Sequence, residues 1–285
     1  MRVATLGAFA KAGLEFGLSP TATTQRIKGL EAELGVKLFN RTTRAVALTA
    51  DGELFLAHAK RIIEGIEDAR SDLSGGPGSI RGEIRVAGSA SFGRRYIAPY
   101  VAEFLRAYPD VRVRLELSDG IVDIVEQGFD VAFRIGTLPS SSLIARKLVD
   151  NPRLLVASPA YLKRAGDPAK LNDLASHNCI VLGESRNWKL RDTAGKIHEL
   201  RVSGNFVTNY GDVTTEAALA GAGIALKSLW DVRGFLENGS LVPVLNEYTV
   251  EPVWGLWVVR PPGDMVPARV RAFIEFMEDK FQEIL

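Results

Sequence analysis

Thr21, Thr24, Gln25 and Lys28 recur at a spacing that places them on one face of a helix. They are short hydrogen-bonding groups plus one cation, a set suited to base edges and phosphate oxygens and poorly suited to a protein core. Ser19 ahead of them is a good N-cap, and Pro20 fits the first helical position. Ile27, Leu30 and Leu34 recur on the other side and are expected to point inward. Upstream, Phe9–Phe16 has the pattern of a short helix, and Gly17-Leu18-Ser19 supplies a tight turn. Helix, glycine turn and capped helix is the helix-turn-helix order, although any two short helices joined through glycine look alike.

The next segment decides between those readings. Val36–Thr49 alternates apolar and polar residues and predicts a β-hairpin wing. Lys37, Arg41 and Arg44, with Thr43 beside them, are placed there to meet phosphate or a minor groove. Residues 1–50 hold seven cations against three acids, an excess of four positive charges, while the whole chain carries only +1. The near-neutral total therefore says nothing against nucleic acid.

Asp51 to about Leu73 reads as one long helix, with an acid near its start and Gly75-Gly76-Pro77-Gly78 stopping it. Phe55, Ala59, Ile62, Ile66, Ala69 and Leu73 alternate spacings of four and three, which is a heptad seam for pairing with a second copy. An amphipathic helix packed on its own chain has the same pattern. A helix of this length spans roughly 35 Å, enough to set two reading heads on successive major grooves. Gly75–Gly82 reads as a hinge, and its glycines follow no strand, so a dinucleotide-binding loop is a weak reading.

From Glu83 strands and helices alternate, which implies a mostly parallel sheet with helices on both faces. Strands are expected at Ile84–Ala87, Val111–Leu117, Val131–Ile135 and Leu154–Ala157, with helices at Phe92–Tyr108 and Ile121–Gln127. A second run predicts strands near Cys179–Leu182, Ser203–Phe206 and Ile224–Leu226, and a helix at Val213–Ala220. Gly255–Val259 and the amphipathic helix Pro267–Ile284 then return to the first lobe. Two α/β lobes joined by two crossings resemble periplasmic binding proteins, which close around a small ligand.

In such sheets ligands lie beyond the carboxyl ends of the strands, beside helix N-termini. Ser89, Ala90 and Ser91 follow the first strand, and their hydroxyls and free amides could hold a carboxylate or similar anion. Ser118, then Arg134 and Gly136, stand after the next two strands, and Thr208-Asn209 precede a helix of the second lobe. The plainer alternatives are that Ser89 and Ser118 only cap helices and that Arg134 pairs with a surface acid. Phe92 and Leu138 nearby leave aromatic acids and amino acids open as ligands.

The run GLSPTATTQRIKGLEAELGVKLFNRTTRAVALTADGE resembles the winged helix-turn-helix signature of LysR-type transcriptional regulators, with LGVKLFNRTTR its most diagnostic part. The resemblance continues at GEIRVAGSASFGRRYIAPYVAEFLRAYPDVRVRLELSD, GFDVAFRIGTLPSSSLIARKL, ASPAYL and AALAGAGIAL. It implies an α/β protein with three parts. Residues 1–50 are the winged helix-turn-helix DNA-binding domain, 51–82 the dimerising linker helix and hinge, and 83–285 the periplasmic-binding-protein-like effector domain. Lobe I covers about 83–158 and 255–285, and lobe II about 159–254. The implied partners are double-stranded promoter DNA, a small-molecule effector and a second copy through the linker helix. Family analogy adds a dimer of dimers and, for an activator, RNA polymerase; no cofactor is expected. Ser19, Pro20, Thr21, Thr24, Gln25, Lys28, Arg41, Thr43 and Arg44 take the DNA-contacting places. Ser89, Ala90, Ser91, Ser118, Arg134, Gly136, Thr208 and Asn209 take those of the effector cleft. The family often has Arg where Gln25 stands, and usually a full helix ahead of the segment that here reads GAF, Gly7–Phe9. Most of that helix is expected to be missing, leaving Leu14, Ile27 and Leu30 with exposed apolar surface.

Other classes fit less well. With 285 residues, 46% of them hydrophobic, the chain has room for more than one domain. It holds no apolar run of about 18 residues and no charged start leading into an apolar core, so neither a membrane span nor a signal peptide is expected. That leaves the cytoplasm, at the nucleoid, as the expected site of action. The single Cys179 excludes an internal disulfide and sits in an apolar run, as a buried hydrophobe rather than a nucleophile would. An enzyme on the same lobes would be expected to show a G-x-S-x-G elbow, a Walker loop or H-E-x-x-H; GSASF is out of register, and His58, His177 and His198 stand in unrelated settings. His198-Glu199 lies in an alternating strand and reads as a solvated pair. A free solute-binding protein would lack the basic N-terminal domain and would carry an export signal.

Overall fold

The computed structural model describes residues 1–41, 46–73, 80–120, 122–263 and 265–284. The chain divides into two units, Met1–Ser79 and Ile80–Leu285.

In the first unit, α1 (Arg2–Leu6), α2 (Phe9–Leu14) and α3 (Pro20–Leu34) precede a two-stranded wing, β1 (Phe39–Arg41) and β2 (Val46–Leu48). The strands pair antiparallel, Phe39 opposite Leu48 and Arg41 opposite Val46. Helix α2 ends at Leu14, short of the expected Phe16, and the turn passes through Gly17 at φ 64°. Close approach of α2 and α3 depends on Gly13, where a Cβ would lie 2.2 Å from Thr23 Oγ1 and 3.0 Å from the Leu18 carbonyl. Ile27 and Leu30 are half-buried beside Val3, Ala12, Leu38 and Phe39, while Leu14 is 75% exposed. Leu34 was expected inside and is exposed. It is the last helical residue before the left-handed Gly35, and Glu31 takes the buried place one turn earlier.

Helix α4 (Ala50–Leu73) starts one residue before Asp51, with Thr49 Oγ1 accepting the Gly52 amide at 2.9 Å. On its seam Phe55 packs into the small core, whereas Ile62 and Ile66 are exposed in the single chain. The side chains of Ala69 and Leu73, and the hinge glycines up to Gly78, lie outside the described residues.

The second unit begins with β3 (Gly82–Gly88). A continuous helical run follows, made of α5 (Ala90–Phe92), a widened π stretch (Gly93–Ile97) and α6 (Ala98–Ala107). The widening precedes Pro99, which has no amide to bond back to residue 95. Then come β4 (Val111–Leu117), β5 (Val131–Gly136), β6 (Ile144–Asn151), β7 (Arg153–Ala157) and α7 (Pro159–Ala165). After these come β8 (Cys179–Leu182), the hairpin β9 (Asn187–Arg191) and β10 (Ile197–Arg201), β11 (Val207–Thr208), α8 (Gly211–Leu219) and β12 (Ile224–Ser228). The chain closes with α9 (Leu229–Glu237), β13 (Val242–Val244), β14 (Thr249–Glu251), β15 (Trp254–Arg260) and α10 (Ala268–Ile284).

Two five-stranded sheets result, β4-β3-β5-β15-β6 and β11-β8-β12-β7-β13, with a small third sheet β10-β9-β14. In each large sheet one strand, β15 or β7, runs against the other four, so the strands mostly share one direction as expected, although half of the neighbouring pairs are antiparallel. Lobe I closes over a core in which Phe92, Phe133, Phe273 and Phe281 are nearly fully buried, α10 covering one sheet face. Lobe II packs Leu155, Val181 and Ile224 on one side of its sheet and Val156, Ile180 and Ala225 on the other, the two-sided burial expected when helices cover both faces.

Three expectations need correction. Ile121–Gln127 was expected as a helix. Ile121 lies outside the described residues and 124–128 form turns only, because Asp123 Oδ1 takes the Val125 and Glu126 amides and Gly128, at φ 68°, ends the coil. The strand expected at Ser203–Phe206 is Val207–Thr208 instead. The chain first bends round Asn178, whose Oδ1 accepts the Asn205 amide, and a Cβ on Gly204 would lie 2.0 Å from the Cys179 carbonyl. Finally, β7 belongs to the second sheet, so the chain changes lobe at Pro152 rather than near residue 158. Strand β6 escaped the pattern because it is an edge strand whose Arg146, Lys147 and Asp150 break the apolar alternation.

Candidate functional site

The start of α3 is built as its residues predict. Ser19 is extended (φ −65°, ψ 155°) and its Oγ accepts the Ala22 amide at 3.2 Å, with Pro20 as the first helical residue. Ser19, Pro20, Thr21, Gln25 and Lys28 are exposed and Thr24 is half-buried. Thr23 turns inward and donates to the Ser19 carbonyl at 3.0 Å. Arg26 is also exposed, a cation that the helical-face pattern did not select. Arg41 ends β1; Thr43 and Arg44 lie outside the described residues.

Glu31 ties this helix to the wing. Its carboxylate is 4% exposed; Oε1 accepts the amides of Leu38 at 2.9 Å and Phe39 at 3.2 Å, and Oε2 meets Lys37 Nζ at 3.2 Å. Burial pushes the carboxyl up, but the donors outweigh it and hold the pKa below the usual carboxylate range. Glu15 is likewise matched by Arg2, with two contacts of 2.5 Å. Two of the three acids in this segment are thus neutralised locally, and exposed Lys11, Arg26 and Lys28 set the sign of the surface.

In the second unit the carboxyl ends of β4, β3 and β5 bring Ser118 and Ser89 together: the Ser118 amide donates to the Gly88 carbonyl at 3.0 Å. Ser89 is the extended residue before α5, with no cap bond from its side chain. Ser118 Oγ serves its own turn, accepting the Gly120 amide at 3.0 Å. Ser91 is 5% exposed; its Oγ makes no hydrogen bond of ordinary geometry, but it lies near enough to the Asp212 carboxylate to favour its charged form. Across the cleft, Thr208 Oγ1 accepts the Tyr210 amide at 3.2 Å, and Asn209 is exposed ahead of α8.

Two nominated residues stand apart from this cluster. Arg134 donates to the Val122 carbonyl at 2.7 Å, in place of the surface acid considered above, and the Gly136 carbonyl accepts Trp257 Nε1 at 2.9 Å.

Several residues of the cleft escaped the sequence reading. Asp119 Oδ1 accepts the Ala90 amide at 2.8 Å, and its Oδ2 accepts the Gly211 amide of α8 at 3.3 Å. Arg95 of lobe I bonds Asp231 at 2.6 Å and Asp212 at 3.2 Å, and Arg94 bonds Asp212 at 2.8 Å. Lys227, 5% exposed, meets Asp231 at 2.5 Å, the Gly211 carbonyl at 2.7 Å and Thr214 Oγ1 at 2.9 Å. Burial raises the Asp212 carboxyl, but Arg94, the Ser91 hydroxyl and Arg95 outweigh it and leave the pKa lowered. The only sequence signal for this network was the unusual Arg94-Arg95 pair on a helix. A cavity of about 560 Å³ opens beside it, lined by Arg94, Arg95, Tyr96, Trp230 and Phe235, and none of the nominated residues lines it.

Cys179 is fully buried, and burial pushes its thiol up to about 12, so it is inert in this setting. His198 pairs with Asp192 at 2.7 Å rather than with Glu199. Among the described residues no group of three His, Cys, Asp or Glu side chains could hold a metal.

A winged helix-turn-helix ahead of a two-lobed α/β unit defines a ligand-responsive DNA-binding regulator. The chain matches the bacterial regulatory helix-turn-helix protein, lysR family, over residues 1–53 and the LysR substrate binding domain over residues 77–282, and it belongs to the LysR family. It is 37% identical to the HTH-type transcriptional regulator DmlR of Escherichia coli (strain K12), over 99% of this chain and 92% of that protein. The full-length Vibrio cholerae virulence activator AphB superposes with TM-score 0.62 at 29% identity, over 96% of this chain and 94% of that one. CrgA of Neisseria meningitidis does so with TM-score 0.65 at 30% identity, over 98% and 95%. The protein is therefore a LysR-type transcriptional regulator with an effector-binding domain, in a family of regulators rather than enzymes that bind DNA and small effectors and oligomerise. No helix among the described residues is long and apolar enough to cross a membrane.

Proposed function

We propose that α3 enters the major groove of promoter DNA with Thr21, Thr24, Gln25 and Lys28 toward the bases, while Arg41, Thr43 and Arg44 of the wing grip the backbone or minor groove. The observation that carries this reading is the side-chain-capped N-terminus at Ser19, with an exposed polar and cationic face running from it. Gln25 selects adenine through a bidentate amide contact. Gln25→Ala should cost about 1–3 kcal/mol at one base pair, whereas Arg41→Ala should weaken all sequences alike and lower the salt slope by about one. Binding titrations on operator and scrambled duplexes at several salt concentrations separate the two effects; equal losses on both duplexes for Gln25→Ala would remove it from base reading.

Two chains pair through the seam of α4, where Ile62 and Ile66 are 62% and 50% exposed in the single chain. A dimer of dimers forms from such pairs, acting on chromosomal DNA in the cytoplasm and engaging RNA polymerase where the outcome is activation. The effector is an anionic metabolite held between the lobes by the Ser89–Ser91 segment with Ser118, Thr208 and Asn209, and Arg134 and Gly136 form the margin. The buried Ser91 hydroxyl, which makes no hydrogen bond of ordinary geometry, supports this reading. Closure of the lobes on the effector then changes the spacing and bend of the bound DNA. A thermal-shift screen should find carboxylates that stabilise the protein where their neutral amides do not, and the same compounds should shift the footprint. A hit that leaves footprint and bend unchanged would break the coupling.

A further inference from the structure

The anion position between the lobes is already filled by the chain. Asp119 takes the Ala90 amide of lobe I at 2.8 Å and the Gly211 amide at the start of α8 in lobe II at 3.3 Å. Beside it lies a second mark: the buried Ser91 hydroxyl, which makes no hydrogen bond of ordinary geometry although it lies near enough to the Asp212 carboxylate to lower that group's pKa, and which is 3.4 Å from where a Cβ on Gly211 would stand. The Lys227 ammonium sits behind the same turn, 2.7 Å from the Gly211 carbonyl, with its charge met by Asp231. Two amides with a buried hydroxyl beside them match the needs of a carboxylate, and the carboxylate found there is an internal one.

We propose that Asp119 is a built-in competitor for the effector site: it holds the two lobes together in the absence of ligand, and an effector carboxylate must displace it from the Ala90 and Gly211 amides. The longer bond to Gly211 is the one that yields first, and Ser91 supplies the incoming group with a hydrogen bond that Asp119 leaves unused. Asp119 thereby sets both the chemical class of the effector and the concentration at which it acts. The proposal rests on the cleft reading given above, but its test does not.

Trp188, Trp230, Trp254 and Trp257 are the four tryptophans of the chain and all lie in the second unit, so tryptophan fluorescence follows that unit alone during melting. Asp119→Ala should melt below wild type, and acetate should restore it saturably. The gain is about 3 °C at ten times the acetate dissociation constant. Acetamide and chloride should not restore it, and wild type should respond to acetate no more than to chloride. Asp119→Ser, too short to span both amides, carries the same test should the alanine variant fail to fold. Any carboxylate found in the wild-type screen should bind Asp119→Ala about tenfold more tightly, because the internal competitor is gone. Acetate acting equally on wild type and variant, or on neither, overturns the proposal while the screen still judges the cleft. Rescue by acetate with no carboxylate altering DNA binding overturns the cleft's regulatory role and leaves Asp119 as a structural clamp.

Discussion

Asp231→Ala should destabilise the effector-binding unit by about 3–5 kcal/mol, the usual cost of stranding a buried charge, and lower its melting temperature by roughly 6–20 °C. Asp231 is 5% exposed, and its carboxylate joins Lys227, Arg95 and the Thr215 hydroxyl. Removing it leaves the Lys227 ammonium in the interior with only neutral acceptors, the Gly211 carbonyl and Thr214 Oγ1. Arg95 keeps Asp212 and the Asp231 carbonyl, so most of the loss falls on Lys227. Urea melts followed by tryptophan fluorescence measure it. The paired change Lys227→Met with Asp231→Leu should recover much of the stability, since no charge is then stranded. A double variant as unstable as the single one would show that packing, not charge, is what Asp231 supplies.

Glu31→Ala should free the wing from the reading helix. Two buried amides lose their acceptor, while the exposed Lys37 ammonium turns to water, a loss of about 2–4 kcal/mol at roughly 1–2 kcal/mol per buried amide. Exchange protection of the Leu38 and Phe39 amides should then fall by about 30- to 700-fold, and affinity for any duplex should drop. Glu31→Gln keeps an acceptor and should lie between the two. The folded pKa of Glu31 is depressed. Its stabilisation is therefore fully present above the ordinary carboxylate value of about 4 and is lost as the pH falls through the folded value. Acid titration of wild type should reproduce the phenotype of the alanine variant at those two amides. Unchanged protection in Glu31→Ala would mean that the hairpin alone holds the turn.

What could be read from the chain was what local rules dictate. The Ser19-Pro20 start, the wing and the long α4 each follow from capping, alternation or a heptad repeat within a short window. The lobes were legible because strand and helix periods alternate. What escaped depends on residues far apart in sequence. Arg95 and Asp231 are 136 positions apart and Asp119 and Gly211 are 92 apart, so no window contains either pair. Ser118 was nominated because it follows a strand, yet its neighbour Asp119 makes the contacts across the cleft. An aspartate after a strand ordinarily signals a turn and nothing more. Arg134 had the right chemistry for an anion but spends it on the Val122 carbonyl, a partner visible only once the segment before β5 is folded.

Lobe I is written in two instalments, β3 to β6 before the second lobe and β15 with α10 after it. Strand β15 lies between β5 and β6, and α10 brings Phe273, Met277 and Phe281 to the core. During synthesis, lobe II can therefore complete its sheet while lobe I still waits with a gap between β5 and β6. The nascent chain then carries an apolar slot shaped for its own last strand, and chaperone demand should peak just before residues 254–284 leave the ribosome.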